Sequence, residues 1–317
     1  MRVREGVSTE PFVGSRWFHR NCRNIDRLAI RSGGDPIHQS RSEHRNNTRQ
    51  PTTPTGQSPF SNFEATMSTP QHLAFFGATG GCALNALIHS LAAGHICTAL
   101  ARTPAKLTAL LATAAARTEN LTIVAGDIDD ADAVAATLSG ATTTVLFGVG
   151  GTPAFSPNPL TCFVTLNDPT ICERGITQVL AALRASGQRP LLCVISTTGL
   201  DDNRDLPLAM RPLYKALKVP HRDKKKMEEL VVRAANEGVL AAHVVVRPAL
   251  LTDGEQTDKL RAGYRGRAKT GGNAWGDVEG EAVGYTVSRK DVGHWIFQEV
   301  VQGRGGEWKG HTVSLAY

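Results

Sequence analysis

A short apolar run that empties into a small-residue turn limits what this chain can fold into more than any other feature. Leu73-Ala-Phe-Phe-Gly77-Ala-Thr-Gly80-Gly81-Cys-Ala83 reads as a buried strand, a tight turn and the start of a helix. The apolar face of that helix continues through Leu84, Leu87, Ile88 and Leu91. Strand, glycine turn and helix in this order open a dinucleotide-binding βαβ unit. Gly77 lets the strand end in a tight turn, and Gly80 lets main chain come close to a diphosphate. N–H groups at the helix start then face the phosphates, with the helix dipole behind them. Ala83 stands where the third glycine of the fingerprint falls and is small enough for close helix–strand packing. Gly77, Thr79, Gly80, Gly81 and Cys82 are the expected diphosphate-binding residues.

The next strand, His95 to Ala101, ends in Arg102-Thr-Pro-Ala-Lys106. Sites built for NAD commonly carry an acid here, which binds the ribose hydroxyls. An Arg beside Thr103, with Lys106 a turn later, suits a 2′-phosphate through bidentate, charge-assisted bonds. NADP is therefore the expected cofactor in preference to NAD. An exposed strand-end Arg102 without a ligand is the plain alternative. Leu121 to Ala125 forms a third strand, ending in Gly126-Asp127. Asp127 suits the adenine amino group, a cap on the following helix, or both. Thr142 to Phe147 forms a fourth strand and runs into Gly148, Gly150 and Gly151, where main chain passes close to the cofactor's ribose.

Helical patterns at Leu107–Ala115, Ala131–Leu138, Ile176–Ala185 and about Arg222–Asn236 are interleaved with strands at Leu191–Ile195 and Ala242–Val246. That alternation predicts an α/β fold, a doubly wound parallel sheet of Rossmann type. Residues 152–170, rich in Pro and Thr, read as a loop over the site. After the cofactor domain at 67–251, the Gly-rich segment 252–317 is expected to form a small C-terminal substrate-side cap completing the same domain. It holds a helix from Arg289 to Val301 and a final strand from His311 to Leu315.

The total charge of +6 is unevenly spread: residues 1–66 hold ten Arg against six acids, a net +4, leaving +2 for the rest. The folded part therefore carries no stripe for nucleic acid, and the cluster Arg222 to Lys226 reads as a solvated helix face. Residues 1–66 are rich in Arg, Ser, Thr, Asn, Gln and Pro without apolar periodicity, and disorder is expected there. They read either as a presequence-like leader, although Glu5, Glu10 and Asp26 interrupt it, or as an extension ahead of a natural start at Met67. No segment has the roughly 18 uninterrupted apolar residues of a membrane span. The six cysteines form no CxxC pair and most lie in apolar surroundings, which suits buried thiols in a reducing compartment; neither a disulfide framework nor a metal site is expected. A cytoplasmic protein is expected, with monomer and homodimer both open.

Taken together, the Gly77-Ala-Thr-Gly80 turn, Ala101-Arg102-Thr-Pro-Ala-Lys-Leu, Gly126-Asp127, Ser196-Thr-Thr-Gly199, Val246-Arg247-Pro248 and Ser288-Arg-Lys-Asp291-Val are spread along nearly all of the folded part. On these residues the chain resembles the atypical short-chain dehydrogenase/reductase superfamily, in its NmrA-like NAD(P)H-binding branch. The stretch from Lys218 to Glu228 is similar to flavin and biliverdin reductases of that branch, and more so to fungal oxidoreductases of the averufin-oxidase type. The resemblance implies an NADP(H)-dependent oxidoreductase passing a hydride between the nicotinamide and a small aromatic or quinone or ketone substrate. It also leaves open a non-catalytic redox sensor that binds NADP and acts through a protein partner.

Family catalysis commonly uses a Ser and then Tyr-x-x-x-Lys. Tyr214 and Lys218 match that spacing literally, between Pro212 and Pro220. Alternatively Lys224, followed four residues later by Glu228, is the family lysine, which puts Pro220 where the tyrosine belongs. On the second alignment Ser196 would bond the substrate oxygen and Lys224 the nicotinamide ribose. His221 would donate a proton, because an imidazole titrates near working pH. Tyr264, Trp275 and Tyr285 would stack on a flat substrate.

Overall fold

Leu73, Ala74, Phe75 and Phe76 are each exposed to 1% or less, as a strand in the middle of a parallel sheet with both faces covered must be. The computed structural model describes residues 69–155, 164–202, 204–257, 259–266, 276–277, 280–303 and 306–317. The expectations for residues 1–66 and for Trp275 therefore lie outside the described residues.

Strand β1 (His72–Phe76) pairs in parallel with β2 (Ile96–Ala101) on one side and β4 (Thr144–Phe147) on the other. Beyond β2 lies β3 (Leu121–Ala125), and beyond β4 come β7 (Leu191–Ile195), β8 (Ala242–Pro248) and β13 (Thr312–Ala316), all parallel. β10 (Arg261–Tyr264) runs antiparallel on β13, and the short β11 (Gly276–Asp277) ends the sheet. Strand order is thus β3-β2-β1-β4-β7-β8-β13-β10-β11, and the chain reverses its direction of travel between β1 and β4.

Successive side chains of β1 enter different layers. Phe75 joins the layer under α1 (Gly81–Ala92), α2 (Pro104–Thr113) and α7 (Arg289–Trp295). Phe76 joins the layer under α3 (Ala131–Thr137), α4 (Ile171–Ser186) and α6 (Lys218–Asn236). Each buried ring contributes about 1.5–3 kcal/mol. The expected doubly wound sheet is the observed one.

Several boundaries differ from the sequence reading for identifiable reasons. α4 begins at Ile171 rather than at 176 because the Asp223 carboxylate, reaching over from α6, accepts bonds from Cys172 N at 3.0 Å and Glu173 N at 2.9 Å. α6 begins at Lys218 and takes Pro220 into its first turn, where a missing N–H costs nothing. Before it stands a short α5 (Arg211–Ala216). The segment read as a loop over the site contains an antiparallel pair, β5 (Pro153–Phe155) with β6 (Val164–Leu166). Much of the expected cap is built into the sheet and the α1-side core: β13 and β10 extend the sheet, and Trp295 and Trp308 meet at 5.5 Å. What stands apart is a parallel ribbon of β9 (Leu250–Thr252) and β12 (Thr286–Ser288), continuing from the carboxyl end of β8. Among the described residues no helix is long and apolar enough to cross a membrane.

Candidate active site

The turn after β1 works only because three side chains are missing or small. Gly77 adopts φ +81°, and a Cβ there would stand 2.7 Å from the carbonyl of Gly148 at the end of β4. A Cβ on Gly148 would in turn stand 2.9 Å from that of Ala83. Gly80 N donates to Gly77 O at 2.9 Å, closing the turn. Gly80 brings no side-chain cap to α1, whose first turn holds no acid, so the positive end of the helix is uncompensated. Burial pushes the Cys82 thiol up to about 12, so this residue offers its N–H rather than sulfur chemistry.

From this turn a cleft of about 480 Å³ runs over the carboxyl ends of β2 and β3. It brings together Gly77, Thr79 and Gly80 with Arg102, Thr103, Lys106, Asp127 and Gly148. Arg102 is 79% exposed, with Nε 3.8 Å from Asp127 Oδ2. The helix after β3 is capped by Asp130, which accepts from Asp132 N and Ala133 N. Asp127 is therefore not that cap; its Oδ1 accepts from Asp129 N at 3.2 Å and the residue lines the cleft.

On the other side of the switch point stand Ser196 and Lys224. Ser196 N donates to Val246 O at 2.7 Å, and its buried Oγ has no hydrogen-bond partner among the described residues. Lys224 reaches down from α6 and donates to Ile195 O at 2.7 Å and Val149 O at 3.1 Å. The same ammonium also acts on the buried Cys172 thiol, whose pKa it pulls down against the effect of burial.

Tyr214 and Lys218 fall on different helices, separated at Leu217 (φ −93°, ψ 26°), and Lys218 is exposed. The Tyr214 phenol is hydrogen-bonded to Thr198 Oγ1 at 3.2 Å, and burial above all raises its pKa. The ring of His221 lies 5.3 Å from that of Tyr214. Burial lowers the imidazole to about 4, which corrects the premise that it titrates near working pH: at neutrality His221 is uncharged. Glu228 does not pair with Lys224. It takes both arms of the buried Arg247, with Oε1 3.0 Å from Nε, while Arg247 Nη1 reaches Asp201 Oδ2 at 2.8 Å. The Val246-Arg247-Pro248 run is thereby explained as a buried ion pair across α6 and β8.

Of the expected aromatic platform only Tyr264 and Tyr285 are among the described residues, and no ring contact joins them there. Tyr264 stacks on His311 at 3.9 Å and sets its edge against Trp308, within the sheet's own packing. Tyr285 is exposed just before β12. Sequence reasoning missed Arg289 and Asp253 beside α1, because residues so far apart in the chain give no local signal. Ser288, by contrast, caps α7 by accepting from Asp291 N at 2.9 Å, a Ser-x-x-acid pattern that can be read directly.

The NAD(P)H-binding family matches residues 77–302. The chain belongs to that family. A reductase of Aspergillus terreus, pytE, is 40% identical over 272 residues, covering 79% of this chain and 99% of that protein. The oxidase pynE of Aspergillus niger is 36% identical over 288 residues, covering 78% and 99%. In fold the chain is similar to a short-chain dehydrogenase/reductase of Veillonella parvula solved with NADP, at TM-score 0.56 and 13% identity over 78% of this chain and 94% of the other. It is also similar to the anaerobillin reductase ChuY of Escherichia coli, at TM-score 0.52 and 19% identity over 78% and 97%. This member of the NAD(P)H-binding family is an oxidoreductase.

Proposed function

We propose that this NAD(P)H-binding protein uses NADP(H) and exchanges a hydride with a small aromatic substrate of the quinone or flavin-like kind. The observation that carries the cofactor choice is Arg102 beside Thr103 and Lys106 at the end of β2, where an acid would suit NAD. The site fits a dinucleotide: a glycine cradle that one Cβ would fill, and a buried serine hydroxyl left unpartnered at neighbouring strand ends. When bound, NADPH supplies the hydride.

The chain's own residues do the rest. The amides opening α1 receive the diphosphate, Arg102 and Lys106 the 2′-phosphate, and Asp127 the adenine edge. Lys224, held by Ile195 O at the end of β7 and by Val149 O just after β4, turns toward the nicotinamide ribose. Ser196 Oγ donates to the substrate oxygen. With His221 neutral and the Tyr214 proton held by burial, neither side chain is an efficient acid at neutral pH. That favours acceptors whose reduced form is a stable anion that takes its proton from water, as quinones and isoalloxazines do.

The test is to follow NADPH oxidation with quinones, flavins and simple aryl ketones in parallel, for wild type and Ser196→Ala. Turnover with quinones or flavins, lowered about a hundredfold or more in the variant, supports the reading. Turnover confined to simple ketones would defeat the substrate class.

A further inference from the structure

Gly81 is the first residue of α1, and the space where a side chain would grow from it is already taken. A Cβ there would stand 2.3 Å from Arg289 Cδ and 3.2 Å from its Cβ and Cγ. The aliphatic stem of Arg289 therefore lies against the first helical turn. The next turn is just as close: a Cβ on Gly293 would meet Cys82 O at 2.7 Å and Asn85 Cβ at 2.5 Å. These two glycines fix the start of α7 beside the start of α1, so the guanidinium cannot stray far from the amides at that helix end.

Electrostatics give the position a purpose. Arg289 and Lys224 both pull the Cys82 thiol toward its anion, although burial outweighs them. Two cations thus flank the uncompensated positive end of α1. The nearby acid is Asp253, from the chain following β9, whose Oδ1 lies 2.7 Å from Arg289 Nη1; the carboxylate side chain is 67% exposed and the guanidinium side chain 33%. A planar guanidinium matches phosphate oxygens as well as it matches a carboxylate.

We infer that Arg289 is a diphosphate clamp, closing on the nucleotide from the α7 side, and that Asp253 holds the guanidinium as a stand-in anion until the nucleotide arrives. The inference rests on the cofactor reading above and assigns a residue to it. Glycine at 81 then serves two ends, a bare N–H for the phosphate and room for the stem of Arg289.

Calorimetric titration of Arg289→Gln with NADPH, NADH and 2′-AMP tests it. The diphosphate is common to both dinucleotides and absent from 2′-AMP. Affinity for NADPH and for NADH should fall by the same factor, about tenfold or more, with 2′-AMP unchanged. Asp253→Asn, at an exposed side chain, should tighten NADPH a few-fold, and that gain should vanish in the Arg289→Gln background. Unchanged NADPH affinity in Arg289→Gln, an equal loss for 2′-AMP, or no gain from Asp253→Asn overturns the clamp while leaving the cofactor reading in place. A wild-type chain that binds neither dinucleotide removes both.

Discussion

Arg102 shows what a single residue can decide at this site. Its guanidinium is mostly in water and the one acid paired with it among the described residues, Asp127, stands 3.8 Å away, so it contributes little to the fold and is free to meet a phosphate. Arg102→Ala should lower NADPH affinity about tenfold or more while changing NADH affinity less than about twofold; equal losses would remove the 2′-phosphate assignment. His221 makes a different kind of prediction. Its folded value of about 4 lies below the ordinary 6.5, so between these values the unfolded chain binds more protons than the folded one. The stabilising effect of the neutral imidazole is full above the ordinary value and is lost as pH falls toward 4. In urea unfolding at about pH 7 and about pH 4.5, His221→Gln should lose less stability on acidification than wild type. An identical loss in both proteins would show that the imidazole is not held neutral. Arg102 and Asp127 could be read from sequence because a strand end and its next residue are neighbours in the chain. The neutrality of His221 could not, since it comes from the packing of Tyr214 and other residues around a helix start.

At the scale of elements, the account turns on how helix ends are closed. α1 is left without a side-chain cap, as the proposed diphosphate site requires, whereas α3 and α7 are capped within their own sequence by Asp130 and Ser288. α4 is capped from outside by Asp223, 51 residues further along the chain from Cys172. Asp223→Ala should therefore lower stability by about 1–2 kcal/mol, read as a lower urea midpoint with an unchanged slope. No shift of the midpoint would mean that the cap carries no weight. The strands and the glycine turn were legible because period, turn chemistry and burial agree within ten residues. The start of α4 was not, since its cap comes from another helix. Nor was the start of α6, where Pro220 reads as a break although a first turn tolerates it. The literal Tyr214-x-x-x-Lys218 spacing misleads for the same reason: a change of helix at Leu217 separates the two residues.

For the whole molecule, the reversal of strand order between β1 and β4 opens a crevice at the carboxyl ends of the strands, where the proposed function puts the cofactor. In the described part of the segment after residue 252, β13 extends the sheet beside β8 and α7 packs into the core beneath it. The fold class was legible from the alternation of strands and helices; the antiparallel β10 and the β9–β12 ribbon were not, because short strands surrounded by glycine carry too little pattern. Nucleotide binding to the folded state alone should raise stability by about 2.7 kcal/mol at a nucleotide concentration 100 times Kd. Isothermal calorimetry of the wild-type chain with NADPH and NADH under one set of conditions is the most direct test of the central claim. Saturable uptake of one NADPH per chain, with NADH bound about tenfold or more weakly, is the expected result. No heat of binding with either nucleotide, or a preference for NADH, would contradict the account.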